Sequence, residues 1–171
     1  MSTTNQEATV GNGHYVKTAE TVQWVAFRLA EREYGIEIDK VHEIVLMCQI
    51  NPVAETPDYF EGVINLRCRA IPIVDLRRRF GLPAERPTGD SRIIVLHTAG
   101  KKIGIIVDAV LQVLRISQDQ IAPPPADAAV AEEYLTGSVK LDDRLLTLLD
   151  VDKMLGEEET AVVEALSAAA P

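Results

Sequence analysis

The sequence predicts an all-β protein: two small β-barrels on a shared core, related by an internal repeat. Three observations carry this. The body of the 171-residue chain is a series of short runs rich in Val, Ile and Leu, broken by tight polar turns. Long helical patterns are absent. Two separated blocks repeat, which marks a duplicated structural unit.

The first block pairs YGIEIDKVHEIV, from Tyr34, with IGIIVDAVLQVL, from Ile103. Gly35 matches Gly104, Asp39 matches Asp108, Val41 matches Val110 and Ile44 matches Val113, at an offset of 69. VQWVAFRL and SRIIVLHT align at the same offset. The second block pairs YFEGVINLRCRAIPIVDLRRRF, from Tyr59, with YLTGSVKLDDRLLTLLDVDKML, from Tyr134, at an offset of 75. Here Gly62 matches Gly137 and Asp75 matches Asp150. The six extra residues fall in APPPADAAVAEE, a Pro/Ala segment where insertion costs little.

In chain order, residues 1–19 are polar and read as a mobile tail. Each half then reads strand, turn, strand, connector, strand, turn, strand, short helix. Residues 30–33 and 99–101 form the first turn of each half. Pro57 suits the first turn of a short helix that Gly62 would stop. Asp75 and Asp150 sit where a strand gives way to a helix and can accept its free N–H groups. Gly81 and Gly156 close those helices. Residues 156–171 are rich in Glu and Ala and read as a short helix or frayed tail, with Val162, Val163 and Leu166 docking on the body. The two intertwined subdomains, approximately 20–85 and 86–155, are each too small to be stable alone and must share a core. Closing them as barrels removes exposed edges and leaves a groove between them for a partner.

Composition narrows the function. Apolar residues make up 47% of the chain, enough for a core. The net charge of −9 and pI near 4.8 oppose nucleic-acid binding. No apolar run approaches the ~20 residues that cross a bilayer, and the N-terminus lacks a signal-peptide pattern. A cytoplasmic protein without membrane insertion is expected.

No catalytic chemistry is legible. GxSxG and Walker A are absent. His14, His42 and His97 belong to no metal pair, and Cys48 and Cys68 lack metal-ligand spacing. Both cysteines read as small buried or half-buried apolar residues. His42 beside Glu43 could be a base with its orienter, and Arg67 or Arg69 could activate Cys68. Connector residues and a structural thiol explain them better. The matched aspartates read as duplicated turn and cap residues. No cofactor, metal or catalytic residue is expected.

The halves differ in a telling way. INLRCRAIP faces VKLDDRLLT, and KVHEIV faces AVLQVL. A common frame with differently charged sides suits specialised binding surfaces.

GVINLRCRAIPIVDLRRRFGL resembles the signature of CheW and CheW-like domains, GVxNLRGxxxPVxDLRxxFG. GIIVDAVLQVLRIS, QIAPPP and EYLTGSVKLDDRLLTLLDVDKML match in order, so the resemblance covers roughly residues 20–155. It implies two five-stranded SH3-like β-barrels with a pseudo-twofold repeat, and no catalysis. It implies an adaptor between the cytoplasmic tips of methyl-accepting chemoreceptors and the regulatory domain of the histidine kinase CheA. The receptor hairpin would lie in the groove between barrels, and the kinase domain would pair barrel to barrel. The free protein would be a monomer that joins rings in membrane-associated arrays. Carried over by motif, Arg67 and Glu43 would contact partners; Val41 and Ile44 flank Glu43, Gly62 opens the signature block, Val113 lies at the matching place in the second half, and Ile38 would face the kinase contact. The family's usual glycine after NLR is Cys68 here; glycine at such a turn marks a positive φ. The same residues would serve a chemosensory pathway that controls something other than flagellar rotation.

Overall fold

The structure is a computed structural model that describes residues 8–10, 14–16, 20–98, 100–128, 130–155 and 161–162, with side chains from residue 20 onward. Within the segment expected as a tail, β1 (Ala8–Val10) pairs with β2 (His14–Val16). The chain continues through β3 (Thr21–Leu29), β4 (Arg32–Glu37), a 3-10 turn at Ile38–Lys40, β5 (Val41–Leu46), β6 (Phe60–Leu66), β7 (Arg69–Asp75) and helix α1 (Leu76–Arg79). The pattern then repeats as β8 (Arg92–Thr98), β9 (Lys101–Val107), β10 (Ala109–Ser117), β11 (Leu135–Leu141), β12 (Arg144–Leu149) and α2 (Val151–Met154).

One sheet has the order β10-β3-β4-β12-β11 and the other β5-β8-β9-β7-β6. Replacing each strand by its repeat mate converts one order into the other, so the repeat is a pseudo-twofold of the fold. The sequence halves, however, are not the barrels. Hairpin β3–β4 pairs with β10 and β12, while hairpin β8–β9 pairs with β5 and β7. One barrel is the continuous stretch 41–107, and the other joins 21–37 to 109–149. The barrels interleave along the chain and do not divide it at 85/86. The cause is connector length. Only the turn Ile38–Lys40 separates β4 from β5, and only Asp108 separates β9 from β10. Links so short carry the chain straight from one sheet into the other.

Each barrel closes by the same device. Past β5 the chain curls until Asn51 bridges Val63 of β6, and past β10 Ala122 bridges Ser138 of β11. These contacts join the two outer strands of each sheet. Gly62 lies inside β6 at a register shift, with φ +141°, and a Cβ there would sit 2.1 Å from the Asn51 carbonyl oxygen. Its mate Gly137 would place a Cβ 2.7 Å from the Ala122 carbonyl oxygen. Both glycines permit close approach of backbones. The expected short helix from Pro57 is a single turn, closed by the Phe60 N–H donating to the Pro57 carbonyl, so Gly62 stops no helix.

Alternation along the strands assigns side chains to two kinds of core. In β8, Ile93 and Val95 fill the barrel interior, whereas Ile94 and Leu96 face the core shared by both barrels. In β3, Trp24 and Ala26 fill the second barrel, while Phe27 and Leu29 face the shared core. Strands covered on both faces read as continuous apolar runs. The shared core draws on both sheets and on Val151, Met154 and Leu155 around α2. Burying each large side chain contributes about 1.5–3 kcal/mol, so this core ties the barrels together. Val130, from the Pro/Ala segment, is buried in it, and Val162 packs against it. Val163 and Leu166 lie outside the described residues.

The expected caps are present. Asp75 accepts a hydrogen bond from the Arg77 N–H at 3.0 Å, and Asp150 from the Lys153 N–H at 3.2 Å. Gly81 follows α1 with φ +75° and donates to the Arg78 carbonyl; Gly156 lies outside the described residues.

Each crossover between barrels carries an ionic clamp to a short helix. Asp108 accepts from Arg77 Nη2 at 2.6 Å, Arg77 Nε at 3.1 Å and the Ala30 N–H at 2.8 Å. Burial pushes its carboxyl up, but the Arg77 guanidinium and the Ala30 N–H outweigh burial and hold it below the usual range. At the other crossover, Lys40 Nζ donates to Asp152 at 2.9 Å, and Thr98 Oγ1 also donates to that carboxylate. These two donors hold the Asp152 carboxyl below its ordinary value. Arg77 and Asp152 are repeat mates of opposite charge, whereas their partners Asp108 and Lys40 are not matched by the repeat.

Candidate partner-binding surface

Among the described residues, strand β5 bonds to a neighbouring strand only through β8, with a register shift between Val41 and Glu43. Its burial alternates. Val41 and Val45 pack against the cores, while Ile44 and Leu46 turn outward with 41% and 67% of their surface exposed. Glu43 is partly covered and accepts from Arg67 Nη1. The Arg67 side chain is 72% exposed. The two residues are 24 positions apart; Glu43 lies on the outer strand β5 and Arg67 just past the end of the other outer strand, β6, which closure of the barrel brings round.

Arg67 and Cys68 are the two central residues of the β6–β7 hairpin, between the paired Leu66 and Arg69. Both have positive φ, +51° and +66°. That sign pattern belongs to the tight turn that matches strand twist and ordinarily selects Asn and Gly. The family's glycine thus has a conformational reason, and Cys68 keeps the backbone shape at a steric cost. Both cysteines are exposed, which corrects the buried reading. A hairpin tip cannot bury its side chain, and Cys48 lies just past the end of β5.

The structure brings Glu43, Ile44 and Arg67 into one neighbourhood. Val113 is 49% exposed but lies on β10, in the other sheet. It is the repeat mate of Ile44, so each barrel exposes an aliphatic residue at the equivalent place. Ile38 is not the end of a strand; it opens the crossover turn and is half-buried. Gly62 is buried at the barrel closure, where its role is steric. Sequence reasoning missed Leu46 and Leu111, the latter 40% exposed. The repeat carried the signal for Leu111, which matches the exposed His42.

The enzyme constellation does not assemble. Asp75 and Asp150 serve as caps, and Asp108 is held by Arg77 and Ala30. His42 Nε2 lies 3.6 Å from Glu43, whose carboxylate is engaged by Arg67. Among the described residues, no group of three or more His, Cys, Asp or Glu could hold a metal ion.

A family model described as the CheW-like domain matches residues 23–159. A chemotaxis protein CheW from Klebsiella aerogenes is 42% identical over 148 residues, covering 85% of this chain and 89% of that protein. The chemotaxis protein CheW of Treponema pallidum is 36% identical, covering 82% of this chain and 85% of that one. The solved structure of the scaffolding protein TtCheW from Thermoanaerobacter tengcongensis superposes with a TM-score of 0.74 at 38% identity, over 81% of this chain and 94% of that one. That match accords with the mainly β fold of two five-stranded sheets described here, and these relatives are named as chemotaxis and scaffolding proteins. With the duplicated barrels, the NLR hairpin and close relatives spanning nearly their full length all in agreement, this chain belongs to the CheW-like domain family.

Proposed function

We propose that this chain is a non-catalytic chemotaxis scaffold that couples the cytoplasmic tips of chemoreceptors to the regulatory domain of the histidine kinase CheA. The observation that carries the reading is the exposed Arg67 guanidinium, engaged by Glu43 of β5, the strand that also turns Ile44 and Leu46 outward. A fork-shaped cation and branched aliphatics exposed on one barrel suit an amphipathic helix with a carboxylate at its margin. The outward aliphatics repeated on β5 and β10 offer each barrel a surface for barrel-to-barrel pairing with the kinase domain, and hence for rings in arrays. No described helix is long and apolar enough to cross a membrane, so array attachment would come through these partners.

The test is binding of an immobilised receptor-tip hairpin by surface plasmon resonance. Arg67→Asp should weaken binding at least about tenfold, because it removes a charge-assisted contact and sets a carboxylate against Glu43. The thermal midpoint should fall by no more than about 2–4 °C, since an exposed pair contributes about 0–1 kcal/mol. Undiminished binding by the variant would remove Arg67 from the interface.

A further inference from the structure

An open cleft of about 610 Å³ lies between the β3–β4 turn and the 82–91 connector that follows α1. Its size falls in the range of small-molecule sites, roughly 300–1,000 Å³. Four arginines line it, Arg28, Arg32, Arg77 and Arg86, in a chain whose net charge is −9. Arg77 is spent on Asp108 and the Pro83 carbonyl, and Arg32 reaches Asp127. The guanidiniums of Arg28 and Arg86 have neither a hydrogen bond nor an ion pair among the described residues.

Three hydroxyls share the lining. Tyr34 is only 2% exposed, yet its O–H finds no acceptor among the described residues. Burial pushes that phenol up, against a smaller opposing effect from Arg32, so it remains a donor. The oxygens of Ser91 and Thr88 accept the N–H groups of Thr88 and Asp90, which leaves their own hydrogens unspent. Glu85 is paired with Arg77 at 3.6 Å, and apart from the exposed carboxylate of Glu31 the unspent side-chain groups are donors or cations.

We propose that this cleft binds a phosphate-bearing small molecule, with Arg28 and Arg86 taking the anionic oxygens and the Tyr34 hydroxyl donating to them. Guanidinium forks match phosphate oxygens in pairs. The site draws on the β3–β4 hairpin of one barrel and a connector of the other, so a bound ligand would bridge the two. It stands independently of the adaptor reading.

The test is calorimetric titration of the full chain with inorganic pyrophosphate and, separately, with ADP, at an ionic strength of about 0.15 M. Saturable binding with a Kd at or below about 1 mM is expected. Arg28→Ala/Arg86→Ala should weaken it at least about tenfold, and Tyr34→Phe several-fold, because each removes donors to the anion. Among the described residues the two arginines make no hydrogen bond or ion pair, Arg28 acting only as a nearby charge on Asp108, and Phe keeps the buried ring, so the fold should persist, as emission from Trp24 would report. Equal binding of both probes assigns affinity to the phosphates; binding of ADP alone adds a contribution from its nucleoside. Absence of saturable binding, unchanged affinity in the double variant, or equal competition by sulfate at matched ionic strength would overturn the proposal.

Discussion

Replacing Cys68 by glycine should stabilise the protein. Cys68 sits at φ +66° in the β6–β7 turn. An L-residue in the left-handed region costs about 1–2 kcal/mol. Glycine relieves that strain but adds freedom to the unfolded chain, which returns about 0.4–1 kcal/mol. The net gain is about 0.5–1 kcal/mol, or about 1–4 °C in thermal midpoint for a domain of this size. The assay is thermal unfolding followed by far-UV circular dichroism and by fluorescence of Trp24. This tryptophan is buried in the other barrel, away from the turn. Both probes should shift together, because the barrels share a core and unfold as one unit. Cys68→Ala retains the Cβ and should gain nothing. If glycine lowers or fails to raise the midpoint, or if alanine raises it equally, the strain argument is wrong.

Two further perturbations test the frame. Gly62→Ala should cost at least about 3 kcal/mol, since its Cβ would collide with the Asn51 carbonyl in a backbone region closed to L-residues; Gly89→Ala, with open space around it, should stay within about 0.5 kcal/mol. Urea unfolding of the three proteins decides this. Asp108 and Asp152 have folded-state pKa values held below the ordinary carboxylate value. Their contribution is therefore fully present above the unfolded pKa of about 3.9 and is lost as pH falls through the lower folded values. The thermal midpoint should drop on acidification below about pH 5, and Asp108→Asn should flatten that dependence while lowering stability near neutrality.

Much of the frame was legible because duplication leaves paired marks. Gly62 with Gly137 and Asp75 with Asp150 each mark one structural device used twice, at barrel closure and at helix start. The exchange of hairpins was not legible. A strand with two apolar faces has the same pattern whichever sheet it joins, so β3–β4 and β8–β9 carry no label for their partners. Only the lengths of the two crossovers, three residues and one, point to the swap, and they emerge only when strand ends are known. At the surface, Arg67 and Glu43 were legible through the motif. The exposure of Leu46 was not, because an outward leucine on a strand is indistinguishable in sequence from a buried one. Cys68 signalled its own conflict, since the motif asks for glycine and the hairpin still imposes a positive φ.

Reconstituted kinase activity tests the coupling role. CheA autophosphorylation would be measured with receptor alone, with this chain alone, and with both. Marked stimulation is expected only when both are present, and is expected to be lost on Arg67→Asp. Stimulation by the chain without receptor, no stimulation by the full mixture, or full activity of the Arg67→Asp variant would contradict it.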